Sequence, residues 1–181
     1  MDIMNYQRER LKKIAKVLDR IQVPDFDPYI ANLYQRKLVQ KKIFLLQELG
    51  LQFNYLFKWH AFGPYSEELA EDIREVLLRK KKGFQFKTED RVISGEESIV
   101  DKLSYFEMEK IEDSEDLATF YEIASSIQFL SSRFPDRFKD SEDKENAIIN
   151  NLITIKPDLQ EQIKTYKANV LFALKACNLL A

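Results

Sequence analysis

Cysteine, glycine, proline and histidine are all scarce in this chain of 181 residues: Cys 1, Gly 4, Pro 5 and His 1. One cysteine excludes an internal disulfide framework and a cysteine-based zinc cluster. Four glycines cannot form a glycine-rich phosphate-binding loop. So few glycines and prolines also leave little room for long irregular loops. No apolar run approaches the roughly 20 residues that a membrane span needs. The first eighteen residues, MDIMNYQRERLKKIAKVL, are charged throughout and have no signal-peptide hydrophobic region. A soluble, cytoplasmic, reducing setting without membrane contact is the expectation.

What is present is a hydrophobic fraction of 45%, Phe 13 and Tyr 8, enough for a substantial core. Charged residues make up 32% with both signs interspersed, as on well-solvated helices. The signs are unevenly spread. Residues 1–82 hold 16 basic and 11 acidic residues (+5), and residues 83–181 hold 12 and 19 (−7). A basic lobe facing nucleic acid would produce this, and so would two lobes that complement each other without a partner.

Helical spacing of Leu11, Ile14, Leu18 and Ile21 predicts a first helix over 3–21. Pro24 and Pro28 break it, and Asp27 before Pro28 suits the start of a short helix over 29–34. Residues 36–49 form the central helix of this half. Leu38, Leu45 and Leu49 lie on one stripe with Val39, Ile43 and Leu46 beside it. Arg36, Lys37, Gln40, Lys41 and Gln47 are placed mostly opposite, and Gly50 suits a left-handed cap.

Residues 52–62, QFNYLFKWHAF, alternate at Phe53, Tyr55 and Phe57 and again at Trp59 and Ala61, which is strand periodicity. Gly63-Pro64-Tyr65 is a turn, and Ser66 caps a helix with Glu67 and Glu68 in its first turn and 79–82 (RKKK) at its end. Residues 84–86 and 91–93 are short candidate strands that would make a wing. Helices over 98–109, 114–132, 141–154 and 157–180 complete the chain. The last carries Leu159, Ile163, Tyr166, Val170, Leu174 and Cys177 on one face.

The expected fold is therefore mainly α (α+β). A winged-helix-like N-terminal half with a short β hairpin, residues 1–97, precedes a helical half, 98–181, packed on it as one unit.

No constellation of residues signals a reaction. His60 has no local partner for a triad or a zinc site and reads as structural or partly exposed. Cys177 on an apolar face reads as a buried, inert thiol. Ser66 lacks the second glycine of a nucleophile elbow and has a capping role. The carboxylates between Glu107 and Asp116 crowd one segment rather than converging from several, so they read as a solvated acidic surface. No catalytic residue, metal or cofactor is assigned. Arg36, Lys37, Lys41 and Lys42 sit before a strand, a helix and a candidate wing, which makes them the candidate nucleic-acid contacts. The expectation is that these four side chains point outward together. Trp59, His60 and Tyr65, an aromatic edge beside a turn, are the candidate protein-contact anchors.

Several of these motifs resemble the uncharacterised YwgA-like proteins. Lys37-Leu38, the KKIFLL stretch from Lys41 to Leu46, and Leu49-Gly50 match that family's "KLQKIVYLL..LG" helix. Phe62-Gly63-Pro64-Tyr65-Ser66-Glu67-Glu68-Leu69 matches its "YGPYSEEL" turn. Leu117-Ala118 with the ASSIQFL stretch from Ala124 to Leu130, and Ile155-Lys156-Pro157-Asp158-Leu159, follow its later helix and junction. The resemblance spans residues 35–178 at these points. A more distant likeness is to the Panacea domain of SocA-type antitoxins, from which the chain departs at Tyr65-Ser66-Glu67. The first resemblance implies no activity. The second implies an antitoxin or proteolytic-adaptor role. The function expected is a non-enzymatic regulatory or interaction protein, antitoxin-like or defence-associated. It would act on a protein partner, and a homodimer is compatible with that role. The alternative is a winged-helix DNA-binding transcriptional regulator.

Overall fold

In a computed structural model, residues 3–21, 33–86, 96–107 and 111–180 are described. Helix α1 spans Ile3–Arg20 and α2 spans Leu33–Glu48. A hairpin of β1 (Lys58–His60) and β2 (Gly63–Tyr65) follows, then α3 (Glu67–Lys81) and the short α4 (Glu97–Asp101). Helices α5 (Ser114–Arg133), α6 (Lys144–Ile155) and α7 (Gln160–Ala176) complete the described chain. Single 3-10 turns lie at Lys102–Phe106, Pro135–Arg137 and Pro157–Leu159. The described chain is mainly helical, as its composition implies.

The centre of the molecule is the packing of α2 on α5, one helix from each half of the sequence. Every residue of α5 from Leu117 to Leu130 is buried, and so is every residue of α2 from Leu38 to Leu46. A helix apolar on one stripe only would leave a wet face. These two are surrounded: α6 and α7 cover α5, and β2 packs on both α2 and α5. One continuous core runs from Leu11 in α1 to Leu180. Helix α1 lies on α3, held by Arg10, which pairs with Glu68 and sits 2.6 Å from Asp72. The Tyr55 hydroxyl donates to Asp72 at 2.7 Å.

The chain between α2 and β1 departs from expectation. Leu51, Phe53, Tyr55 and Phe57 are buried and their neighbours exposed, so the alternation is real. Yet only Lys58–His60 forms a strand. The reason is Gln47: its side-chain amide donates to the Tyr55 carbonyl oxygen at 3.0 Å, and its oxygen accepts from the Tyr55 N–H at 2.9 Å. One glutamine thus satisfies backbone groups that a neighbouring strand would otherwise occupy. The hairpin pairs Trp59 with Pro64 and His60 with Gly63, and so lies before α3. Residues 84–86 are not a strand, and the expected strand at 91–93 and short helix at 29–32 lie outside the described residues.

The capping readings hold. Ser66 is the N-cap of α3, its hydroxyl accepting from the Leu69 N–H at 3.3 Å. Gly50 has φ +105° just past α2, where any side chain would be strained.

Candidate functional site

A groove of about 720 Å³ separates α2 from α3, with the hairpin at one end. Leu33, Arg36, Lys37 and Gln40 form one wall, at the spacings of a single helix face. Ala70, Ile73, Arg74 and Leu77 form the other by the same rule. His60, Phe62 and Tyr65 close the hairpin end, the His60 and Tyr65 rings lying 5.3 Å apart. The walls are thus aliphatic with cations spaced along them. Gln40 fixes the geometry: its amide donates to the Ser66 carbonyl oxygen at 3.0 Å, and its oxygen accepts from the Ser66 N–H at 3.1 Å.

Behind the groove, reached through its lining residues Lys37 and Lys41, is a buried charge cluster around Glu122 of α5, which is 1% exposed. Lys156 donates to one carboxylate oxygen, Oε1, and to the Ala61 carbonyl oxygen. Lys37 lies 2.6 Å from the other oxygen, Oε2, out of hydrogen-bond alignment, so charge rather than an aligned bond holds it there. Lys41, 1% exposed, donates to the Pro64 carbonyl oxygen at 2.6 Å. Burial pushes the Lys41 ammonium down to about 7; Glu122 opposes the shift, and Lys156 and Lys37 add to it. Two lysines, Lys37 and Lys156, therefore share one carboxylate, and Lys41 lies within its field without pairing to it. Gly63, at φ +79°, is what lets the hairpin approach: a Cβ there would lie 2.5 Å from Ser126 Oγ.

The two sets of residues expected to act separately are partly brought together. Arg36, Lys37 and Lys41 share the groove with His60 and Tyr65. Lys42 does not: it is buried on another side, 2.8 Å from Glu107 and 5.1 Å from the Tyr121 ring, and burial lowers its pKa. Trp59 turns away to Phe129, ring centroids 5.7 Å apart. The expectation of four outward-pointing cations is thereby corrected. Lys41 and Lys42 are buried, Lys37 is nearly so and ion-paired, and Arg36 is exposed. The cause is that α2 is enclosed all round, so it has no broad polar face for them to occupy.

Glu122, Lys156, Gln40 and Arg74 were not marked by the sequence reading. Glu122 did carry a signal, a lone carboxylate inside the apolar run LATFYEIASSIQFL. Cys177 is buried, its thiol pKa raised by that burial, and its sulfur lies 3.7 Å from the Lys102 carbonyl oxygen. Among the described residues no cluster of His, Cys, Asp and Glu suits a metal, and no helix is long and apolar enough to cross a membrane. Comparison with family models, with curated proteins and with solved structures gives no match.

Proposed function

We propose that this chain is a non-enzymatic regulatory protein, antitoxin-like, that works by holding a protein partner in the groove between α2 and α3. The observation that carries this is the composition of the groove. Two helix faces present aliphatic side chains, and Arg36 and Arg74 stand exposed among them without an ion pair among the described residues. Grooves of this kind receive amphipathic segments, aliphatic anchors entering between the helices. The residues that could have suggested chemistry have structural roles: Ser66 caps α3 and Cys177 is buried. The more distant likeness to Panacea domains would imply the same regulatory class.

A photo-crosslinking residue at Leu77, compared with one at exposed Phe172 of α7, tests this in cells. The reading requires a discrete adduct from the Leu77 position that disappears in an Arg36→Glu/Arg74→Glu variant. Equal, diffuse crosslinking from both positions would sink it.

The alternative is a winged-helix DNA-binding regulator using Arg36, Lys37, Lys41 and Lys42. It draws support from Arg36, whose side chain is exposed, and from the neighbouring Arg74. It draws none from Lys41 and Lys42, because buried ammonium groups cannot release counterions from phosphates. Retention of genomic fragments with a steep salt dependence would favour it over the protein-contact reading.

A further inference from the structure

We infer that the occupant of the groove is an acidic amphipathic segment of a partner protein, one carboxylate of which reaches the lysine floor at Lys41. The inference rests on the protein-contact reading and names the partner's chemistry.

Charge imbalance is the first observation. Lys37 and Lys156 pair with the single carboxylate of Glu122, Lys41 has no carboxylate partner among the described residues, and the groove's rim adds Arg36 and Arg74 against Glu67. Hydrogen-bond capacity is the second. An ammonium group has three donors, and Lys41, among the described residues, gives one, to Pro64. A buried cation with idle donors is a site at which an acceptor is missing. The third is energetic. Folding has already stripped the Lys41 ammonium of water, so an entering carboxylate loses only its own hydration on pairing. An exposed lysine would have to be dehydrated as well.

The walls decide between kinds of anion. Ile73 and Leu77 face Leu33 and the aliphatic stems of Arg36 and Lys37, a surface suited to leucine-like side chains rather than to a sugar–phosphate backbone. The rings of His60 and Tyr65 pack on each other instead of offering an open stacking face for bases. Both walls follow helical spacing, which matches a helical segment with aliphatic anchors on one side and carboxylates flanking them.

The test uses the full chain and two fluorescein-labelled helical peptides. Both carry leucines at i, i+3, i+4 and i+7; one has glutamates at the flanking positions and the other glutamines. Fluorescence anisotropy should show the glutamate peptide binding at least about tenfold more tightly. Lys41→Met and, separately, the surface variant Arg74→Glu should each remove most of that advantage. Equal binding of the two peptides would overturn the acidic partner while leaving the groove as a contact surface. Binding of neither would overturn the contact reading as well. Displacement of the glutamate peptide by a DNA duplex at matched salt would transfer the groove to nucleic acid. A dimer in light scattering that Arg74→Glu dissociates would make a second copy the occupant. Either result refutes the proposal.

Discussion

Replacing Lys41 with Met should stabilise the protein at low pH and stop doing so at high pH. The unfolded chain holds the Lys41 proton up to the ordinary value of 10.5, whereas the folded chain releases it at about 7. Between those values the unfolded state binds more protons, so the stability of the natural protein rises as pH rises. Below pH 7 the folded chain carries the full cost of a buried ammonium, roughly 5 kcal/mol over the neutral amine at 1.36 kcal/mol per unit. Methionine fills nearly the same space without the charge. It leaves the Pro64 carbonyl without its donor, which costs about 1–2 kcal/mol. The net expectation is that Lys41→Met is more stable by about 3–4 kcal/mol at pH 6. That gap should close toward pH 10 and then reverse, by about 1–2 kcal/mol, above about pH 11, where the amine is neutral in both folded and unfolded natural protein. Urea unfolding of both proteins across this range measures the gap directly, and contributions from titrating groups distant from Lys41 cancel in the difference. Parallel pH profiles would refute the reasoning. They would mean that the ammonium is solvated or fully compensated where it lies.

Glu122→Gln removes the carboxylate that Lys37 and Lys156 share, so it should cost about 3–5 kcal/mol in urea unfolding at neutral pH, the cost of stranding buried charge. A change below 1 kcal/mol would show that the cluster contributes little. Gly63→Ala meets both a left-handed φ and Ser126 Oγ, and should lower stability by at least about 2 kcal/mol; an unchanged unfolding midpoint would mean that the hairpin does not approach α5 so closely. Ser66→Ala should cost about 1 kcal/mol through the lost cap, and a fully stable variant would remove that assignment. Cys177 should react with a thiol reagent far more slowly in the native protein than in denaturant; equal rates would mean that the chain after α7 is not docked.

Which parts of this fold were legible follows from how local their causes are. Caps are local, so Ser66 and Gly50 were readable from single residues. Helical periodicity is nearly as local, and α1, α2, α3, α5, α6 and α7 lie where spacing places them, within a few residues at their ends. The alternation of residues 51–57 was also real, but whether extended chain becomes a strand depends on a partner. Here the partner is Gln47, a side chain no pairing rule anticipates. The orientation of the α2 lysines was legible in part. Lys42 stands four residues after Leu38 and four before Leu46, within the apolar stripe itself, where a helix wheel places it inward. What no local pattern could supply was its partner Glu107, or Glu122 for Lys37, each far along the chain. The groove has the same character: its two walls are readable faces, but only the tertiary fold sets them opposite each other.

The asymmetry of charge between the two halves takes on a definite meaning in this light. Lys37 and Lys42 of the basic half pair with Glu122 and Glu107 of the acidic half, and Arg20 with Glu97 follows the same direction. Much of the imbalance is therefore neutralised inside the molecule, as expected of lobes that complement each other. A nucleic-acid surface would require the same cations to remain outside and unpaired. On the groove walls Arg36 and Arg74 have no ion pair among the described residues, and Lys41 at its inner end gives a single hydrogen bond. Stability alone gives no reason to keep a half-satisfied lysine in the core, since methionine would serve the fold better at neutral pH. A lysine retained at that cost, in a groove lined by two exposed arginines against the one carboxylate of Glu67, is accounted for if the missing carboxylate arrives with a partner.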